Sequence, residues 1–333
     1  MQHRAPSLLG LGLLLVVAGG ACGSPAPAAS PRQDAAPAAT SPASTAVATP
    51  ADPTRPPPAA SGAAPAKVAA REAPIVVVEA PPWAQATRKR VKGTEVEGRS
   101  VLKLKKASEK PNQITDDAAW FAANQLSLPA RGGSLPGTAG PRPASVAERF
   151  ADEPFLVALE TSDDGSLALY GNPGDGARYV VGLGPDGAPR FALDFATFRR
   201  APQVADDVRF ITQGVHWAQL DRGVLYVASY HRTYAKSSGG QNAFITAVDP
   251  AKGTVLWQSD PLVANAWNFV LWDGFVVSGY GFTQEPDHLV VIDQATGKTL
   301  ARTAVKSGPT ALVRRGSQLV VRTYDTDYVF DVE

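Results

Sequence analysis

Three stretches of this 333-residue chain superimpose without gaps. Leu225-Tyr-Val-Ala-Ser-Tyr230, Phe275-Val-Val-Ser-Gly-Tyr280 and Leu319-Val-Val-Arg-Thr-Tyr324 each follow a turn carrying Gly223, Gly274 or Gly316. Leu167 to Tyr170 is a weaker fourth copy, so the tyrosines fall 60, 50 and 44 residues apart. A second signature follows the first. Ala247-Val-Asp-Pro-Ala-Lys-Gly-Thr-Val-Leu-Trp257 matches Val291-Ile-Asp-Gln-Ala-Thr-Gly-Lys-Thr-Leu-Ala301, which sets Asp249 and Asp293 one 44-residue period apart. Leu183-Gly-Pro-Asp-Gly187 with Phe191 is a degenerate third copy. Short β-branched and aromatic runs between Gly, Asp and Pro read as strands. Asp249 or Asp293 opens each tight turn by bonding to its own backbone, and Gly253 or Gly297 closes it at positive φ. Each unit therefore supplies about four antiparallel strands, too few to bury their own faces, and must stack on its neighbours.

Period, strand count and turn chemistry predict an all-β fold, a small β-propeller of about four four-stranded blades. The units fall near 155 to 196, 208 to 260, 265 to 306 and 309 to 332, the last lacking its outer strand. Pro74-Ile-Val-Val-Val-Glu79 or Ser100 to Lys105 is expected to supply it and close the ring. The pattern of Asp, three residues, Gly, three residues and Trp257 after an apolar strand resembles the repeat of the pyrroloquinoline-quinone-like propellers, relatives of WD-repeat blades. The resemblance covers roughly residues 155 to 333. Dehydrogenases of that kind use about eight blades, an adjacent cysteine pair and a calcium site. This chain has half the repeats and a single cysteine, so no cofactor is expected. A second relative, the outer-membrane lipoprotein propeller that assists β-barrel assembly, supplies an alternative role.

The rest of the chain divides by composition. Residues 1–21 read as a signal peptide, with Arg4, an apolar run from Leu8 to Ala18 and then small residues. Gly19-Gly-Ala-Cys22 resembles a bacterial lipobox, although Gly19 stands where the family usually has Leu. The resemblance implies acylation of Cys22 and a membrane partner held through the N-terminal lipid. Gly23 in place of the inner-membrane retention Asp implies the outer membrane. Residues 22–73 are expected to be a disordered tether. Positions 23–66 hold 16 Ala and 11 Pro, and the first 82 residues contain no aromatic side chain, too little apolar surface to offset ordering entropy. Residues 74–150 read as a basic connector, with nine Lys or Arg against three Glu between Arg88 and Lys110. An edge strand is expected at Val101 to Lys105 and a short helix at Thr115 to Gln125 with Asp116 and Asp117 in its first turn; residues 131–144 read as a loop. The repeat domain is 151–333, with 15 basic and 21 acidic residues, onto which the basic stretch is expected to pack, the rival surface being an anionic lipid or glycan.

A net charge of +1 argues against a nucleic-acid partner. His216, His231 and His288 lack metal-ligand spacing and read as solvated or turn histidines. The chain has no nucleophile elbow, phosphate loop or His-Glu-Xaa-Xaa-His motif, and Asp325, Asp327 and Asp331 lack the pattern of a calcium loop, so neither a metal nor a catalytic residue is assigned. Trp257 and Trp267 read as blade core. The candidate site is positional. Tyr230, Tyr280 and Tyr324 lead into the longest hairpin loops on one face. Together with His231, Arg232, Phe282 and Arg322 they form an aromatic and basic rim suited to a protein, peptide or glycan. The expected function is a lipid-anchored, non-enzymatic binding or scaffolding module of the cell envelope. The alternative is an envelope enzyme acting on carbohydrate or peptidoglycan through carboxylates such as Asp287 or Asp325.

Overall fold

In the computed structural model, residues 73–82, 91–92, 94, 100–161, 165–204 and 211–333 are described. All belong to the second of two units, Met1–Pro65 and Ala66–Glu333. The signal peptide, Cys22 and the tether up to residue 72 lie outside the described residues. Ahead of the repeats come strands Ile75–Val77 (β1) and Leu104–Pro111 (β2), a helix Asp117–Ala123 (α1), and strands Ala130–Gly133 (β3) and Arg149–Phe150 (β4). Four antiparallel meanders follow. The first is Glu153–Glu160 (β5), Ser166–Asn172 (β6), Gly176–Leu183 (β7) and Pro189–Asp194 (β8). The second is Gly214–Asp221 (β9), Val224–Tyr230 (β10), Phe244–Asp249 (β11) and Thr254–Gln258 (β12). Val270–Trp272 (β13), Phe275–Tyr280 (β14), His288–Asp293 (β15) and Thr299–Ala304 (β16) make the third. Pro309–Arg315 (β17), Gln318–Thr323 (β18) and Thr326–Val332 (β19) begin the fourth.

The inner strands β5, β9, β13 and β17 all line one axial opening of about 510 Å³, which identifies the four sheets as blades of a small propeller. The repeated Tyr-ended runs are the second strands of their blades. Neighbouring blades cover both of their faces, so Phe275–Tyr280 is buried throughout while the peripheral Thr299–Ala304 is half-exposed. One continuous core takes residues from all four blades, from Leu169 and Trp217 to Val290 and Val320.

Both closing strands suggested by the sequence are used, in different blades. β2 completes the fourth blade antiparallel to β19, from Thr326↔Pro111 to Val332↔Leu104, three residues later than the strand expected at Val101 to Lys105. β1 extends the first blade instead, parallel to β8 with Val76 opposite Leu193. The expected helix is shorter than Thr115 to Gln125. Asp116 is its cap, accepting from Ala119 N at 2.7 Å, and so precedes the first turn. The loop expected at 131–144 begins inside β3, which pairs with β5 through Ala130↔Leu159.

Helix α1 packs against the fourth blade. Trp120 and Phe121 are buried in the common core. Arg322 of β18, 3 % exposed, reaches Asp117 Oδ1 at 2.7 Å and the Ile114 carbonyl at 2.7 Å, and stacks 5.1 Å from the Trp120 ring centre. Trp120 Nε1 donates to Asp327 Oδ2 at 2.9 Å. The second and third blades are joined differently. Asp293 Oδ1 accepts from Ala295 N and Thr296 N at 2.8 and 2.9 Å, holding the turn that brings Gly297 (φ 72°) against the Trp257 ring. Asp249 accepts from Ala251 N at 3.0 Å in the matching turn, where Gly253 (φ 63°) faces Val76 of β1.

Candidate functional site

The second-strand turns, β10–β11, β14–β15 and β18–β19, and the connections between blades lie on the face opposite the β9–β10 and β17–β18 turns. There, between the second, third and fourth blades, is a cleft of about 600 Å³. Tyr230, His231, Arg232, Phe282 and Tyr324 line it, joined by Trp267, Asp287 and the backbone of Ser307–Thr310.

Of the seven rim residues expected, Tyr280 and Arg322 do not line the cleft. Tyr280 is buried and its phenol donates to Glu285, because the loop after β14 folds back over it. Burial, and then Glu285, hold its hydroxyl protonated far above the ordinary range. Arg322 points between blades into the α1 contact. Strand alternation turns its side chain to the sheet face that meets α1. Tyr230 lies at the cleft floor, stacked on His216 with ring centres 3.8 Å apart, its pKa pushed up to about 12 by burial. Tyr324 is 84 % exposed, since the β18–β19 turn is too short to cover it. Phe282 is braced edge-on by Tyr234 at 5.0 Å. Trp267, expected as core, is half-buried in the cleft wall, whereas Trp257 is fully buried.

None of the three histidines, expected to be solvated or in turns, is solvated, and His231 alone stands in a turn, the one after β10. His216 is a strand residue of β9, with Nε2 3.1 Å from the Tyr230 carbonyl; burial, then the nearby Arg232 charge, push its pKa down to about 3. His231 Nε2 lies 2.8 Å from Ser238 Oγ, and burial lowers its pKa to about 4. His288 is half-buried beside the Leu262 carbonyl and its pKa is lowered, by burial and then Arg302. Neutral imidazoles back the cleft at pH 7.

Asparagine side chains hold the loops, an arrangement the sequence does not announce. Asn242 accepts from His231 N at 2.9 Å and donates to His231 O at 3.3 Å. Asn265 closes the same ring on Gly281 at 3.1 and 2.9 Å, and Asn268 on Leu312 at 2.9 and 2.6 Å. Each acts as one residue of an extra strand.

The carboxylates are distinguished by their surroundings. Asp287 has its pKa raised by burial and then by the Asp325 charge, while hydrogen bonds from Ser307 (2.5 Å) and Thr326 (2.8 Å) lower that of Asp325. Arg232 is exposed at the cleft edge and forms no ion pair among the described residues. Lys306 is engaged with Glu109 of β2 at 2.5 Å. Among the described residues no group of three or more His, Cys, Asp or Glu is placed to hold a metal. Asp327 is bound to Trp120 and Asp331 to Gln318, so these two do not converge with Asp325.

No protein-family model and no curated protein matches the chain. Solved structures to which it has partial similarity include the computationally designed protein Ika4, at 16 % identity over 52 % of this chain and 88 % of that one with a TM-score of 0.32. BamB from Moraxella catarrhalis aligns at 12 % identity over 54 % and 71 %, TM-score 0.28. A puromycin hydrolase aligns at 16 % over 51 % and 25 %, TM-score 0.30.

Proposed function

We propose that this chain is an exported lipoprotein of the cell envelope, favouring the outer membrane, that holds its propeller on a tether as a non-enzymatic binding module. The observation that carries the reading is the cleft, in which Trp267, Phe282 and Tyr324 converge with the exposed Arg232. The anchor rests on the lipobox resemblance at Cys22. Two measurements test the two halves. A Cys22→Ser variant loses lipid labelling and moves to the soluble fraction; unchanged membrane attachment overturns the anchor. A Phe282→Ala/Tyr324→Ala variant that folds normally loses retention on isolated envelope material; retention equal to wild type overturns the cleft as the binding site.

A second reading, hydrolysis of a carbohydrate, is favoured by one observation. Burial and then the Asp325 charge raise the pKa of Asp287 while hydrogen bonds from Ser307 and Thr326 lower that of Asp325, which pushes the two apart as in acid and base partners. Shortened products from an oligosaccharide, absent with Asp287→Asn, would establish it.

A further inference from the structure

Resting on the cleft as the binding site, we propose that its ligand is an acidic saccharide, a pyranose stacked on the aromatic walls with its carboxylate held by Arg232. The backbone around the cleft is already occupied. Asn265 takes both polar groups of Gly281 and Asn242 both of His231, while the carbonyls of Gly308 and Thr310 accept from Tyr324 N at 3.1 Å and Trp267 N at 2.8 Å. An extended peptide can pair with none of these groups, which shifts recognition toward side chains.

Those side chains combine aromatic rings with polar and charged groups. Trp267, Phe282 and Tyr324 present π-faces whose negative charge attracts the C–H faces of a sugar ring. Phe282 is held in place by Tyr234, so its face is set before a ligand arrives. Asp287 also lines the cleft, with Oδ1 turned into the wall, and its carboxyl adds a polar group to the aromatic surface.

The charge comes from Arg232. Its guanidinium fork matches a carboxylate with two parallel hydrogen bonds. Lys306 also lines the cleft but is paired with Glu109, which leaves Arg232 as the cation without an ion pair among the described residues, a match for a single carboxylate.

Calorimetry on the full chain tests this with trigalacturonic acid, maltotriose as its neutral counterpart, and an acidic hexapeptide of Glu and Phe. Trigalacturonic acid binds at least about tenfold tighter than maltotriose, the scale of one charge-assisted hydrogen-bond pair. Arg232→Ala removes that preference, Arg232→Lys keeps part of it, and Tyr324→Ala weakens both sugars; circular dichroism verifies folding of each variant. Equal binding of the two sugars, unaffected by Arg232→Ala, overturns the carboxylate assignment. Peptide binding that Tyr324→Ala abolishes, with no sugar bound, overturns the saccharide and leaves the binding module standing. No binding of either sugar together with unchanged envelope retention of the Phe282→Ala/Tyr324→Ala variant defeats both.

Discussion

Trp257 closes over Gly297 across the seam between the second and third blades, and its indole N–H donates to the Gln294 carbonyl at 3.1 Å. Gly297 sits at φ 72°, and a Cβ there would lie 2.4 Å from Trp257 Cε3. Gly297→Ala therefore combines left-handed strain with a clash and lowers stability by about 2–4 kcal/mol. Trp257→Ala costs about 3–5 kcal/mol through the cavity it leaves. Because the two share one contact, urea unfolding of the double variant shows less than the sum of the single losses.

Arg322 fastens α1 to the fourth blade. Arg322→Met leaves Asp117 and Asp327 without their cation and lowers stability by about 1–3 kcal/mol. Amide exchange checks where: protection falls across Asp117–Ala123 before the blade strands are affected.

Acid should weaken the fold from pH 6.5 downward. His216 and His231 are neutral when folded, with pKa values of about 3 and about 4, below the ordinary 6.5 of the unfolded chain. Between these values the unfolded state binds more protons, so their contribution is complete above pH 6.5 and is lost as pH falls toward 4 and then 3. Urea midpoints measured at pH 7.5, 6 and 5 fall in that order. His216→Gln, though less stable at pH 7.5, shows a shallower slope.

The fourth blade needs β2. Deleting Leu104–Pro111 exposes the β19 edge and Phe330, and the full chain so shortened melts lower and aggregates, as light scattering during a thermal ramp reports. Replacing the lysines of β2 by glutamine has a much smaller effect on melting. Pairs such as Lys105–Glu333, 3.6 Å apart and solvent-exposed, contribute little beside the backbone ladder.

The repeat made the blades legible. Gapless alignment at Leu225, Phe275 and Leu319 marks residues that fall at or next to the start of the second strands, because a strand covered on both faces must be apolar along its length. Alignment did not reveal which tyrosines meet a ligand. Tyr230, Tyr280 and Tyr324 occupy equal positions, yet Glu285 covers Tyr280 while a short turn leaves Tyr324 open, so loop length decides their exposure. The cleft wall at Trp267 and the clamp from Asn268 to Leu312 depend on residues 44 positions apart meeting in space, which no local pattern encodes.

Closing a ring with its earliest and latest strands sets a timetable. As the chain is made, β2 appears with an unpaired edge, and its partner Phe330 follows about 220 residues later. Lysine on an unpaired strand disfavours pairing with other edges, and β2 carries Lys105, Lys106 and Lys110 through that interval. The lysines that add little to the finished molecule protect the unfinished one.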